Sequence, residues 1–202
     1  MKYKGIIADP PWLYDSKTAL VGNGGRGFGG GEVRQVNTDN HYPTMTLEAI
    51  KNLDVPAADS AMLFMWTTNP FLASGEAASV VRAWGFEPVT VLTWAKVQAD
   101  GMTPSRKNGW WFRSASEHVI VGKRGKIARP PGYPALPTWF PHGRLAHSVK
   151  PTILHDWMQE AVPEGPWLEM FARRRHPGWD LWGNEAPSLL ESALDDLIRV
   201  LQ

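Results

Sequence analysis

The stretch Gly5-Ile6-Ile7-Ala8-Asp9-Pro10-Pro11-Trp12 decides how this chain is read. Gly5 to Ala8 is short and apolar, which suits a buried strand. Two prolines end that strand at once, because they offer no N–H to a sheet ladder. A carboxylate, Asp9, is thereby left at the carboxyl end of a buried strand. Open α/β sheets bind their ligands at that end.

Outward from this motif, strand and helix patterns alternate. Leu13 to Thr44 is irregular and contains the run Gly22-Asn23-Gly24-Gly25-Arg26-Gly27-Phe28-Gly29-Gly30-Gly31. So many glycines cannot offset the entropy of forming a helix or strand. The run lacks a Gly-Lys-Ser/Thr ending, which excludes a P-loop. A flexible loop over about 13–44 is expected, of the kind that serves as a lid. Thr46 to Leu53 predicts a short helix capped by Thr46. Further strands are expected at Ala61 to Thr67, Pro88 to Ala95, His118 to Gly122, Trp167 to Phe171 and Trp179 to Trp182. Helices are expected at Leu72 to Trp84, at Pro151 to Ala161 with proline in the first turn, and at Leu189 to Leu201. The alternation predicts one α/β domain over 1–202, with a mostly parallel sheet and helices on both faces.

Composition narrows the class. The 202 residues are 43% hydrophobic and 20% charged, as in a globular chain and not a disordered one. Cysteine is absent, which excludes disulfides, thiolate chemistry and zinc–cysteine sites; no metal is expected. The opening MKYKGIIADPPW lacks a secretory pattern, and the apolar run Ala61 to Trp66 is too short to cross a bilayer. A cytoplasmic protein without membrane contact is expected.

The net charge of +1 hides a strong asymmetry. Residues 105–150 hold Arg106, Lys107, Arg113, Lys123, Arg124, Lys126, Arg129, Arg144 and Lys150 against the single acid Glu117. A block of +8 in a nearly neutral protein points to a polyanion. Trp110, Trp111 and Trp139 lie inside it, and aromatics among cations suit base stacking beside phosphate contacts. Arg106, Lys107, Trp110, Trp111, Arg113, Lys123, Arg124 and Lys126 are the candidate nucleic-acid contacts. They belong to basic target-recognition loops over about 96–149.

The chemistry of Asp9-Pro10-Pro11-Trp12 fits one reaction well. An exocyclic amino group of adenine is a poor nucleophile, because its lone pair is delocalised into the ring. Two acceptors, one for each N–H, hold the nitrogen pyramidal and free the lone pair for an incoming methyl. The Asp9 carboxylate is one acceptor and the Pro10 carbonyl the other; Pro11 helps to fix that carbonyl and donates nothing. Trp12 can stack on a flipped base or wall its pocket. The alternative reading is a turn that merely ends a strand.

Several segments, in order along the chain, carry a resemblance. Asp9-Pro10-Pro11-Trp12 resembles the catalytic motif of amino-group adenine methyltransferases. His41-Tyr42-Pro43-Thr44-Met45, Phe64-Met65-Trp66-Thr67, Leu92-Thr93-Trp94-Ala95-Lys96, Ser116-Glu117-His118 and His147-Ser148-Val149-Lys150-Pro151 continue it. Leu168-Glu169-Met170-Phe171-Ala172-Arg173-Arg174 and Gly178-Trp179-Asp180-Leu181-Trp182-Gly183-Asn184-Glu185 complete it. The whole is similar to the family that contains the eukaryotic messenger-RNA adenosine N6-methyltransferase and its bacterial and phage relatives.

The resemblance implies a Rossmann-like methyltransferase fold in permuted order, with the catalytic motif before the cofactor segment. It implies S-adenosylmethionine as cofactor and Asp9, Lys150, Glu169, Phe171, Arg173, Asn184 and Glu185 as its contacts. Transfer to N6 of adenine in DNA is expected, with S-adenosylhomocysteine as co-product, from a monomer or homodimer. The alternatives are the same chemistry on RNA, a catalytically silent nucleic-acid-binding subunit, and a cytosine amino-group enzyme, whose motif commonly starts with Ser.

Overall fold

The computed structural model describes residues 1–13, 43–105, 112–145, 149–184 and 186. The glycine-rich run, Arg106, Lys107, Trp110, Trp111, His147, Ser148, Glu185 and the segment expected to be an acidic helix lie outside the described residues.

Seven strands and four helices follow one another among the described residues. In chain order they are β1 (Tyr3–Ala8), α1 (Leu47–Lys51), β2 (Ala57–Thr67), α2 (Asn69–Ala73), α3 (Glu76–Ala83), β3 (Glu87–Val97), β4 (Ser116–Arg124), β5 (Trp139–Gly143), α4 (Ile153–Ala161), β6 (Trp167–Met170) and β7 (Trp179–Trp182). The strands form one sheet in the order β5-β3-β4-β2-β1-β6-β7. Pairings β1–β2, β1–β6, β6–β7 and β3–β5 are parallel, and β4 runs antiparallel to both β2 and β3. Six strands therefore point one way and β4 points back, as expected of a mostly parallel α/β sheet.

Alternation along the central strands explains the two faces. Ile6, Ala8, Leu63, Met65 and Ile120 face one side, where Ile50 of α1, Phe71 of α2 and Ala77, Val80 and Val81 of α3 cover them. Ile7, Phe64, Trp66 and Val119 face the other, under Leu154, Trp157 and Met158 of α4. Near-continuous apolar runs such as Leu63 to Trp66 are what burial on both faces demands.

Three boundaries differ from the sequence reading. The single helix expected over Leu72 to Trp84 is two, α2 and α3. The Ser74 hydroxyl bonds the Glu76 carboxylate and accepts from the Glu76 N–H, and Gly75 adopts φ +79°, so the chain turns there. A short strand, β5, sits inside what reads as a basic loop; its length and its prolines and glycines hide it. Finally, α4 begins at Ile153 after Thr152, so Pro151 precedes the helix instead of opening it.

Leu154 is fully buried where α4 meets the sheet. Leu154→Ala is expected to cost about 2–5 kcal/mol through lost burial and a cavity. Urea unfolding checks this: the midpoint should fall with the slope unchanged.

Candidate active site

Asp9 follows β1 directly, and β1 lies between β2 and β6 in the sheet. The Asp9 N–H donates to the Met170 carbonyl at 3.4 Å, which extends the β1–β6 ladder by one step. The turn that follows is fixed by its own backbone. The Trp12 N–H donates to the Pro10 carbonyl at 2.9 Å, and the Met45 N–H donates to the Pro11 carbonyl at 2.8 Å. A carbonyl has two lone pairs, so the Pro10 oxygen can still accept one more hydrogen bond.

Trp12 is buried at 6% exposure. Its ring stacks on Phe71 at 4.8 Å, and its indole N–H donates to the Trp66 carbonyl at 3.3 Å. An open platform for a flipped base would need a free ring face at the surface. Trp12 is instead a wall behind the motif, anchored to α2 and the end of β2.

The Asp9 carboxylate is already engaged. Its Oδ2 accepts from the Lys150 ammonium at 2.8 Å. The same ammonium lies 3.3 Å from Glu117 Oε2 and 5.6 Å from the centre of the Trp66 ring. Glu117 Oε1 in turn pairs with Lys96, whose ammonium sits over the Trp94 ring. All four side chains are largely buried, and the chain of charges runs Asp9, Lys150, Glu117, Lys96. Glu117 lies at the start of β4 opposite Trp94 of β3, so the backward direction of β4 is what delivers it to the same edge as Asp9.

Burial pushes the Asp9 carboxyl up from its ordinary value. Lys150 and Arg173 pull against this, and the neighbouring Glu117 charge adds to it. Burial acts to raise Glu117 as well, but Lys150 and Lys96 outweigh it and hold that carboxyl below its ordinary value. For Lys150 burial works against the charge, yet Asp9 and Glu117 overcome it and keep the ammonium firmly protonated.

The second half of the edge is built by β6 and β7. Phe171 directly follows β6 and adopts φ +62°, a conformation rare for a residue with a side chain. Its ring meets Trp182 edge-on at 5.2 Å, and the Ala172 N–H donates to the Trp182 carbonyl at 3.1 Å. A Cβ on Gly183 would lie 2.9 Å from the Phe171 Cα, so only glycine permits this close approach of the two backbones. Arg173 is close enough to Asp9 to act on its charge. Asn184 is exposed just past the end of β7. Glu169 sits on β6 opposite Ile7 and accepts from His155 Nε2 at 3.0 Å. The structure thus gathers Asp9, Lys150, Phe171, Arg173 and Asn184 at one sheet edge, with Glu169 two residues before Phe171.

The basic block is divided. Arg113 and Arg144 fall at the carboxyl edge, before β4 and after β5. Lys123, Arg124 and Lys126 do not. Because β4 runs backward, it carries Lys123 and Arg124 to the opposite edge, Arg124 about 26 Å from Ser116 at ~3.3 Å per residue, and Lys126 follows just past the strand. Lys123 pairs there with Glu87 at 3.2 Å. Strand direction thus separates these three candidate nucleic-acid contacts from Asp9. Glu117 and Lys96 were absent from the sequence-based site. Their signal was available, since a charge in an otherwise apolar strand is rarely accidental.

This edge and sheet define an α/β enzyme of the Rossmann-like methyltransferase class. The MT-A70 family profile matches residues 3–185. The chain is 35% identical over 192 residues to the type II methyltransferase M.MunI of a Mycoplasma species, across 92% of this chain and 78% of that protein. It is 25% identical over 198 residues to the mouse N(6)-adenine-specific methyltransferase METTL4, across 91% of this chain and 37% of that protein. It is 27% identical over 190 residues to the N6-methyladenosine RNA methyltransferase MTA1 of Cryphonectria parasitica, across 89% of this chain and 50% of that protein. The chain belongs to the MT-A70 family. It is an adenine N6-methyltransferase, and methyltransferases of this family generally use S-adenosylmethionine.

An ionised carboxylate accepts an N–H more strongly than a carboxylic acid does. Since burial raises its pKa, activity should fail on the acid side at a pH above the ordinary aspartate value. Glu117→Gln removes a like charge and leaves Lys150 to Asp9 alone. The acid limb of kcat is expected to move to lower pH, while kcat at neutral pH falls about tenfold because Asp9 stays masked. A pH–rate profile of both proteins checks the two effects together.

Proposed function

We propose that this chain transfers a methyl group from S-adenosylmethionine to N6 of adenine in DNA. The observation that carries this reading is the Asp9 carboxylate. It stands at the carboxyl end of β1, beside a proline carbonyl with an unused lone pair, and in contact with the Lys150 cation. The 35% identity to a type II methyltransferase, over most of both chains, supports DNA as substrate. The match to a protein named as an RNA methyltransferase keeps RNA as the second reading.

In this mechanism Asp9 accepts one amino N–H and the Pro10 carbonyl accepts the other. Together they turn the nitrogen lone pair toward the donor. S-adenosylmethionine supplies an electrophilic methyl on sulfur. With the cofactor bound, sulfur would keep the C–S electron pair as the N–C bond forms, and the proton lost from the amino nitrogen would pass to water. Lys150 must leave Asp9 free for the base, and Glu117 at 3.3 Å gives it a second anion to rest on. The work of the protein is positioning and electrostatics, with no strong acid or base required.

The cofactor side fits the residues present. Phe171 and Trp182 offer aromatic surface, Arg173, Lys150 and Glu169 offer charge of both signs, and Asn184 offers an amide. The strained Phe171 backbone, locked against Gly183, is the kind of feature that clusters at ligand sites. The order of motif strand first and cofactor strand later reads as a permuted arrangement, supported by the direct β1–β6 pairing. On the nucleic-acid side, Met102, Phe112, Arg113 and Arg144 are exposed around the carboxyl ends of β3 and β5 and the start of β4. An exposed ring, Phe112, beside arginines suits a strand with phosphates and unstacked bases.

Labelled methyl transfer to matched single- and double-stranded DNA and RNA tests the proposal. N6-methyladenine from DNA is expected, and product from RNA alone would overturn the choice of substrate. Asp9→Ala should abolish transfer while the cofactor still binds. Arg113→Ala and Arg144→Ala should weaken DNA binding, each by about 1 kcal/mol or less at moderate salt, whereas Lys123→Ala and Arg124→Ala should change it little. Salt-titrated binding assays distinguish the two pairs.

A further inference from the structure

The two imidazoles behind the cofactor side lie outside the reaction described above. His155, on α4, is 6% exposed. Its Nε2 faces the Glu169 carboxylate at 3.0 Å and its Nδ1 faces the Thr152 carbonyl at 3.3 Å. A carboxylate oxygen accepts, so the His155 Nε2–H donates to Glu169. His176, in the loop joining β6 to β7, stacks on His155 with ring centres 3.6 Å apart and planes 12° apart. Trp179 of β7 closes the group edge-on to His155 at 4.8 Å. Glu169 thus has its carboxylate fixed from α4, and the loop that begins at the strained Phe171 is pinned to the same helix through His176.

We propose that His155 and His176 are positioning residues for cofactor binding: His155 fixes the Glu169 carboxylate, and the stack on His176 holds the loop between β6 and β7 in its binding shape. This rests on the reading of Glu169 and that loop as the cofactor side.

The arrangement has a charge limit. A proton on His176 would put charge on a half-buried ring stacked face to face on His155 at 3.6 Å. Burial and the His155 charge both hold His176 below the ordinary imidazole value, and they outweigh Glu169 and Asp156, the carboxylates that act on it from β6 and α4. A base whose pKa is depressed in the folded state takes up its proton at a cost. The stack is therefore favoured above the ordinary imidazole value of about 6.5 and loses support as pH falls below it.

The test is calorimetric titration of the whole chain with S-adenosylhomocysteine between pH 5.5 and 8. Wild type is expected to lose affinity below about pH 6.5, by up to tenfold for each unit of pH. His176→Phe keeps a flat ring on His155 but cannot be charged, so it should flatten that dependence. His155→Gln should weaken binding at pH 7.5 about tenfold, with a raised KM for cofactor and kcat at saturation less affected. A pH-independent wild type, or a His176→Phe profile that follows wild type, overturns the proposal. Glu169→Gln separates the two layers. Wild-type affinity in that variant removes Glu169 from the cofactor side. Weakened affinity together with an unaltered His176→Phe profile keeps Glu169 there and refutes the imidazole stack alone.

Discussion

The contact on which the site depends is the Lys150 ammonium seated between the Asp9 and Glu117 carboxylates. Two buried carboxylates on one face of a sheet repel each other, and neither is stable without a shared cation. Lys150 reaches them from the segment before α4, so one side chain ties β1, β4 and the α4 side of the sheet together. Lys96 adds a second cation on Glu117, which makes the row neutral overall. The balance is uneven along the row. Glu117 has two cations and is held ionised, while Asp9 shares one and is the carboxylate whose charge burial makes costly. That asymmetry leaves Asp9 the responsive member, as a group that must exchange one partner for another during catalysis should be.

Strand direction then divides the labour of the edge. The order β5-β3-β4-β2-β1-β6-β7 puts β1 near the middle, with the aromatic and polar β6–β7 turn on one side and the arginines before β4 and after β5 on the other. One reversed strand does two things at once. It brings Glu117 to the catalytic edge, and it sends Lys123 and Arg124 to the far one. A basic window that is continuous in sequence is therefore not a continuous surface in space.

Much of this was legible in the residues. The buried strand ending in Asp9-Pro10-Pro11-Trp12, the alternation of strands and helices, and the cap at Thr46 follow from pattern and propensity, and Thr46 Oγ1 does accept from the Ala49 N–H at 3.2 Å. What stayed hidden depended on tertiary facts. Strand periodicity carries no sign of direction, so the reversal of β4 could not be read, nor its consequence for Lys123 and Arg124. The break at Ser74–Gly75 turned on a local hydroxyl bond that competes with the helix. Trp12 left two roles open, a stacking face or a wall, because tryptophan serves both; the placement of Phe71 decides for the wall.

That burial has a consequence for how the motif works. Trp12 is held by Phe71 of α2, and α2 begins at Asn69, which hydrogen-bonds His118 of β4; His118 also contacts the Thr93 hydroxyl of β3 at 3.1 Å. The motif is thus supported on one face by packing that reaches three strands away, to β3, while its other face carries the Asp9–Lys150–Glu117 row. Acceptors that must meet two N–H groups of a single nitrogen tolerate little error in position, and a loop of prolines alone fixes only its own torsions. Packing behind Trp12 sets where the Pro10 carbonyl stands, and the charge row sets where the Asp9 carboxylate points. In the proposed reaction the base would meet acceptors placed in advance and would have only to displace one ammonium, which has a second carboxylate within reach.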